Sequence, residues 1–194
     1  MVFSEGMTYT DLNFSDVTIL RRATGQPCAL SVAAFQATLF GYSASMPPQI
    51  VIRQARAEEN RAIHELVQTI ADETFAYLFA NQQVPIGEAN WFSAWLAVAE
   101  RDIVGVTMTQ DEWVSDLWVR SDSRRSGIGA KLLAHAEREI RNRGHQTFRL
   151  RVVKSNTRAV RFYQNQGWRV HHEFPHEKFG HPMLEMIKFE APVS

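Results

Sequence analysis

The sequence predicts an α/β domain of the α+β kind, in which a mixed, mostly antiparallel sheet of about seven strands is flanked by about four helices. Strand-like apolar patterns alternate with segments whose apolar residues recur at helical spacing. The breaks at 100–102 and 110–112 are short enough only for hairpins, so the strands that they join are antiparallel. A length of 194 residues fits one well-buried core.

The first half of the predicted domain is a strand, two helices and three strands. Apolar residues recur at helical spacing from Ile63 to Ile70, and Glu58 and Glu59 enrich the first turn of this helix. An aromatic-rich segment then predicts a second short helix, which ends before the loop that contains Pro85. The predicted bounds are 49–53 for the strand, 74–80 for the second helix, and 91–99, 103–109 and 113–119 for the three strands.

The second half alternates helices and strands. A helix that begins at Ala130 is predicted to end at Gly144, because glycine readily adopts the left-handed conformation that closes a helix. A strand with alternating apolar and arginine residues follows, and then a helix that Ser155 or Asn156 can cap and that Gly167 closes. The predicted strands of this half are 147–153, 168–174 and 183–189.

Residues 1–46 are predicted to be an N-terminal extension, poorly ordered and without catalytic residues, and the domain to cover 47–194. The first strand follows Met46-Pro47-Pro48 at once, so the domain is complete without the extension. Part of the extension faintly resembles a secretory signal. Its apolar stretch is interrupted by Gln36 and Thr38 and starts far from Met1, which argues against export.

The composition restricts the classes of partner. Lysine and arginine number 21, and aspartate and glutamate also number 21, so no basic field favours nucleic acid or an anionic membrane surface. The chain has no apolar run of membrane-spanning length. Its single cysteine, Cys28, excludes an internal disulfide and fits a reducing compartment. We therefore expect a cytoplasmic protein that acts on a small or locally recognised substrate, and a homodimer is left open.

The segment from Arg124 to Ala130 has the features of a phosphate-binding turn. It joins a strand to a helix, and its two glycines remove the Cβ atoms that would keep a phosphate away from the backbone. The helix that it opens has unpaired N–H groups at its positive end. The spacing fits neither a dinucleotide fingerprint nor a P-loop. An ordinary strand-to-helix turn explains this segment equally well when it is considered alone.

Four motifs lie in the order that one enzyme family shows. They are Ile103-Val104-Gly105, Asp116-Leu117-Trp118-Val119, Arg124-x-x-Gly127-x-Gly129 and Asn156-x-x-Ala159-x-x-Phe162-Tyr163-x-x-x-Gly167-Trp168. With these motifs, the sequence over about residues 49 to 190 resembles the GCN5-related N-acetyltransferases (GNAT), a superfamily of acyltransferases that use acetyl-CoA. The resemblance implies an acetyltransferase fold whose fourth and fifth strands splay apart around the cofactor.

The resemblance also implies which residues bind acetyl-CoA. Backbone groups of Leu117, Trp118 and Val119 are expected to pair with the pantetheine arm. Asn156 is expected to contact the cofactor, although capping its own helix explains this residue equally well. The loop residues expected to bind the pyrophosphate are Arg124, Arg125, Ser126, Gly127, Ile128, Gly129 and Ala130.

Two residues are the candidates for catalysis. Asp116 lies in the strand beside the expected thioester and is the first candidate for the base that accepts a proton from the amine. The alternative is that it binds the substrate ammonium or stabilises the sheet. Tyr163 matches the family tyrosine that protonates the leaving sulfur, and packing at a helix end is its alternative. Glu112 is a reserve base, because period-2 counting places it on the same strand face as Asp116.

The acceptor and the role of the histidines are less defined. We expect transfer of an acetyl group to a primary amine of a small molecule. The alternatives are a protein lysine or N-terminus, or a non-catalytic sensor of acyl-CoA. Four histidines lie between His171 and His181, but adjacent residues of a strand face opposite sides and the spacing fits no common zinc site. We therefore expect no metal, and a histidine is left open as a pocket residue or base.

Overall fold

The computed structural model describes residues 49–80, 82–87 and 90–190, and its strands form one seven-stranded sheet. The strands are β1 Ile50–Gln54, β2 Trp95–Ala99, β3 Asp102–Gln110, β4 Trp113–Val119, β5 Thr147–Val153, β6 Arg169–Pro175 and β7 Pro182–Phe189. The helices are α1 Asn60–Phe75, α2 Ile128–Asn142 and α3 Thr157–Asn165. The strand order is β1-β2-β3-β4-β5-β7-β6, and only the β4–β5 pair is parallel. The predicted fold class is therefore confirmed. The expected N-terminal extension lies outside the described residues.

Two boundaries differ from the prediction. The expected second helix at 74–80 is partly the end of α1 and partly one 3₁₀ turn, Ala76–Phe79, which stops at Ala80 with φ of 51°. The described residues therefore contain three α-helices instead of about four. The strand expected from residue 91 starts at Trp95, because Asn90 caps a short 3₁₀ turn that buries Trp91. Both segments are aromatic-rich, and tertiary packing decided their conformation.

The helices cover both faces of the sheet. Leu96 of β2 packs with Ile63 and Val67 of α1, whereas its neighbour Ala97 packs with Leu132 of α2. Because successive strand residues face opposite sides, α1 and α2 lie on opposite faces. The glycine predicted to end α2, Gly144, follows it with φ of 92°. Within the described part of the chain, every helix is too short or too polar to cross a membrane.

An extra residue in β4 sets the geometry at the centre of the sheet. Met108 pairs with Asp116 and Thr109 pairs with Val114, so Ser115 is inserted as a β-bulge. The Thr107 hydroxyl donates a hydrogen bond to the Asp116 carbonyl at 2.8 Å and supports this distorted backbone. The bulge reverses the alternation of side chains along the strand, so the period-2 argument that placed Glu112 on the face of Asp116 does not hold.

The strands β4 and β5 separate from this bulge onward, toward the end of β4. Their parallel pairing is limited to Trp113 with Arg149 and Val114 with Leu150. The remainder of β4, residues 115–119, has no strand partner on its β5 side. The predicted splay between the fourth and fifth strands is therefore present.

Candidate active site

A cavity of about 500 Å³ opens where β4 and β5 separate. Residues from α1, both splayed strands, the glycine loop and α3 line it. Those predicted from the sequence are Asp116, Leu117, Trp118, Val119, Arg124, Arg125, Gly127, Gly129, Ala130, Asn156 and Tyr163. Residues far apart in sequence are thus brought to one opening.

The glycine loop forms a concave surface of backbone N–H groups. Arg125 and Gly127 have positive φ values of 65° and 81°, which turn successive N–H groups toward one side. The first bonded amide of α2 is that of Lys131, which donates to the Gly127 carbonyl at 3.1 Å. No residue in the described ranges accepts a hydrogen bond from the N–H groups of 125–130. This turn can therefore bind an anion such as a pyrophosphate.

Arg124 is fixed at the edge of this anion-binding turn. Its Nε donates to the Val119 carbonyl at 3.0 Å, and its terminal nitrogen lies 3.9 Å from the Glu73 carboxylate. The side chain is 24% exposed and lines the cavity. The guanidinium thus links the end of β4 to the loop and adds positive charge beside the free N–H groups.

Ser126 and Ile128 occupy different positions from the other loop residues. Ser126 is exposed, and its hydroxyl donates to the Ser123 carbonyl at 2.6 Å. Ile128 is buried against Val104 and Leu132. Neither residue lines the cavity, so their expected contribution is limited to their backbone N–H groups.

Asp116 lies on the side of β4 that faces α1. Its Oδ1 accepts a hydrogen bond from the Trp118 indole at 2.9 Å, and that indole packs edge-on against Phe75. Burial raises the pKa of Asp116 above its ordinary value, although hydrogen bonds from Trp118 and Ser115 oppose the shift. A carboxylate with a raised pKa is a stronger base. Asp116 therefore has the chemistry of a proton acceptor as well as a structural contact.

Tyr163 approaches the same cavity from α3. The side chain is 9% exposed and packs among Leu133, Leu150 and Trp168. Burial raises the pKa of its phenol, and the negative charge of Asp116 raises it further. The phenol is therefore protonated at neutral pH, and its O–H can donate to a group in the cavity. Asp116 and Tyr163 line the same cavity.

The position of Asn156 is compatible with both roles considered for it, capping α3 and contacting the cofactor. Its Oδ1 accepts a hydrogen bond from the Ala159 amide at 3.1 Å, which caps α3. The residue also lines the cavity, and its amide NH₂ makes no hydrogen bond to the described residues. The cap orients the side chain, and the free amide can contact a ligand.

Several lining residues were missed by the sequence argument. Phe162 lies 3.5 Å from the position of a Cβ on Gly129, so it packs directly on the glycine loop. Phe75, at the end of α1, and Arg151, on β5, also line the cavity. The motif that identified Tyr163 contains Phe162, which was a usable signal. Phe75 and Arg151 carry no local signal, because each fits the pattern of an ordinary helix or strand residue.

The histidine cluster departs from the expected geometry. Another bulge, between Val170 and His172, breaks the alternation in β6. The rings of His171 and His172 are 5.3 Å apart, and ligand atoms of both histidines and Glu185 lie within 4.8 Å of one another. The argument that these histidines face opposite sides is therefore wrong. The expectation that no metal binds stays a prediction, and Glu185 is already held by Arg149 at 2.6 Å.

The geometry fits a CoA thioester. The free N–H groups of the loop suit a pyrophosphate, and the unpaired edge of β4 offers amide and carbonyl groups to an extended arm such as pantetheine. Asp116 contributes a carboxylate and Tyr163 a phenol to the same cavity. Glu112 lies outside this group, since it does not line the cavity and its carboxylate is 3.7 Å from Arg149.

Comparison with known proteins agrees with this assignment. The sequence model of the acetyltransferase (GNAT) domain matches residues 54–189. A search of curated proteins found no match.

Solved structures share the fold. YjaB from Escherichia coli, in its apo form, is 23% identical with a TM-score of 0.58, and the match covers 74% of this chain and 99% of that one. The ribosomal-protein-S18-alanine N-acetyltransferase from Escherichia coli is 19% identical with a TM-score of 0.54, covering 75% and 97%. A structure of yncA from Salmonella typhimurium with its cofactor acetyl-CoA is 18% identical with a TM-score of 0.57, covering 75% and 96%. At these identities the neighbours establish the fold alone.

Proposed function

The chain belongs to the GNAT acetyltransferases, which makes it an acetyl-CoA-dependent acyltransferase, and we propose that its acceptor is the primary amine of a small molecule. The domain extends over residues 47–194 in this proposal, and the protein is cytoplasmic. It uses no metal and binds neither nucleic acid nor a membrane. One observation carries the proposal: the same cavity is lined by residues of the anion-binding turn and by Asp116 and Tyr163.

Acetyl-CoA is held by the loop and by β4. The N–H groups of residues 125–130 bind the pyrophosphate, with Arg124 adding charge at the edge. The unpaired backbone of Leu117 to Val119 hydrogen-bonds the pantetheine arm, and Asn156 donates from its free amide. When bound, acetyl-CoA supplies the activated acetyl group.

Asp116 and Tyr163 handle the protons of the transfer. Most alkyl amines are protonated at neutral pH, with an ordinary pKa of about 10, so the amine must lose a proton before it can attack the thioester carbon. Asp116, directly or through a water molecule, accepts that proton. As the bond from the acetyl carbon to sulfur breaks, Tyr163 donates its phenolic proton to the sulfur. The buried phenol is protonated beforehand, which its raised pKa ensures.

Contacts after α1 favour a small acceptor. Phe79 packs edge-on against Phe179 at 5.1 Å and against His181 at 5.6 Å, which connects the turn after α1 to the loop between β6 and β7. The Tyr77 hydroxyl also hydrogen-bonds the Ser155 hydroxyl at 2.7 Å. These contacts connect the two halves of the domain. A peptide acceptor needs an open groove, so the contacts favour a small molecule. The alternative, a protein N-terminus, takes its support from a neighbour named as an alanine N-acetyltransferase of a ribosomal protein.

A thiol-release assay with acetyl-CoA tests the proposal across a panel of small amines and peptides. We expect turnover with small amines, and peptides that outperform every small amine would overturn the assignment. Tyr163→Phe is expected to lower kcat at least tenfold with unchanged acetyl-CoA affinity. Arg124→Ala should weaken acetyl-CoA binding. Arg61→Ala is the control, because Arg61 is 90% exposed on α1 and pairs only with Glu65 among the described residues.

A further inference from the structure

Arg151 lies on the acceptor side of the cavity. Its neighbours Leu150 and Val152 pack in the core beneath α2 and α3, so by strand alternation Arg151 faces the opposite side of the sheet. That side is the face of α1, toward which the Asp116 side chain also points. The anion-binding turn starts α2 on the other face. Arg151 is therefore a cation of the cavity that is separate from the proposed pyrophosphate site.

Two aromatic rings hold the Arg151 guanidinium in place. Its Cζ lies 4.9 Å from the ring centroid of Trp113 and 5.2 Å from that of Phe174. Contacts with ring faces leave the N–H donors at the edge of the guanidinium plane available. Trp113 lies on β4 and Phe174 on β6, and β5, which carries Arg151, lies between these two strands. The two rings therefore hold the guanidinium between them. The guanidinium is thus oriented without using its hydrogen bonds.

No carboxylate neutralises Arg151 within the described ranges. Its cross-strand partner is Glu185, but that carboxylate accepts a hydrogen bond from Arg149 at 2.6 Å and is 7% exposed. The Glu112 carboxylate also lies 3.7 Å from Arg149. Arg149 is therefore paired with two acids. Arg151, which lines the cavity, makes no hydrogen bond to the described residues.

We propose that Arg151 binds a carboxylate of the acceptor, and that the substrates are amines that carry a carboxylate. This proposal rests on the proposed function and names its substrate class. A planar guanidinium can bind a carboxylate through two parallel hydrogen bonds, which would direct the amine of the same molecule toward Asp116. A dianionic phosphate fits less well, because the buried Glu185 carboxylate is the cross-strand neighbour of Arg151 and repels a dianion more strongly than a carboxylate.

The test compares each amino carboxylate with its carboxamide in wild type and in Arg151→Gln. The variant should lower kcat/KM for the carboxylate about 10- to 100-fold, mainly through KM, and change that for the carboxamide less than twofold. For each compound, kcat/KM of the variant is divided by that of wild type. Comparing these two ratios removes the effect of the different basicities of the two amines. Arg151→Lys should recover only part of the preference, because an ammonium cannot form the paired contact. Arg169→Gln is the control, since Arg169 also stacks on an aromatic ring, Phe189, but lies outside the cavity.

Equilibrium binding separates failure of this proposal from failure of the proposed function. Calorimetry of the same two compounds with the CoA complex of wild type and Arg151→Gln does not depend on turnover. Tighter binding of the carboxylate that is lost in Arg151→Gln supports the proposal even if no small amine is acetylated. Equal binding of both compounds, an equal loss for both, or a preference for the matching amino phosphonate overturns it.

Discussion

Gly127→Ala isolates the anion-binding turn from the stability of the helix that follows it. Gly127 has φ of 81° at the start of α2, and a Cβ built there meets no atom within 4 Å. Gly144 has φ of 92° at the end of the same helix, and a Cβ there also meets no atom within 4 Å. Only Gly127 lines the cavity. Gly144→Ala is therefore a matched control with the same conformational cost and no contact with the proposed cofactor.

The substitutions are expected to change the free energy of unfolding and the affinity for acetyl-CoA by different amounts. An alanine in the left-handed region costs about 1–2 kcal/mol, so both variants should lose that free energy of unfolding, or about 2–8 °C in Tm. In Gly127→Ala the added methyl group also displaces the pyrophosphate from the N–H groups. Losing one charge-assisted hydrogen bond, worth about 1.5–3 kcal/mol, weakens acetyl-CoA binding about 10- to 150-fold.

Calorimetric titration with acetyl-CoA and thermal unfolding of the free proteins measure the two effects. We expect similar Tm losses in both variants and weaker acetyl-CoA binding only in Gly127→Ala. Equal affinities in the two variants would refute the assignment of the turn as the pyrophosphate site. A loss of affinity in Gly144→Ala of the same size would show that stability, and not contact with the cofactor, controls binding.

Two further predictions follow from shifted pKa values. Asp116→Asn keeps the acceptor of the Trp118 hydrogen bond but cannot take a proton, so kcat at pH 7 should fall about 100-fold, and a pH profile should show the defect shrinking as alkaline pH deprotonates the amine itself. A defect that is independent of pH would indicate another role. The hydrogen bond from Arg53 lowers the pKa of Glu59 to about 2, so the ion pair stabilises the fold above the ordinary pKa of a glutamate and loses this effect as pH falls toward 2. Denaturant unfolding of Glu59→Gln should show a loss of about 1 kcal/mol at pH 7 that disappears near pH 2, and an equal loss at both pH values would contradict it.

Local sequence patterns were sufficient for most of the fold. Strand β5 was predicted at its observed bounds, because its apolar residues alternate with Arg149 and Arg151. Gly144 marked the end of α2, because a left-handed residue is needed there. The segment at 74–80 was predicted less well. Its aromatic residues contact distant parts of the chain, as Phe79 does with Phe179, and these contacts have no counterpart in the local pattern.

The bulges explain where sequence reasoning about the site failed. One extra residue reverses the side-chain alternation of a strand, and neither Ser115 nor His171 carries a local signal of such an insertion. The first bulge removed the basis for Glu112 as a base, and the second removed the argument that separated His171 from His172. Arg151 was missed for a related reason. Its pattern is that of a solvated strand residue, and its free charge depends on the pairing of Glu185 with Arg149.

The bulge at Ser115 gives the opening of the sheet and the direction of Asp116 a common cause. A bulge increases the local twist of its strand, and the pairing of β4 with β5 ends at Val114, the residue before it. The same insertion directs Val114 into the core beneath α2, but Asp116 and Trp118 toward α1. A regular β4 would continue to pair with β5 and would leave no free backbone edge for an extended ligand. The chemistry of the site therefore depends on this irregularity as much as on the residues that line the cavity.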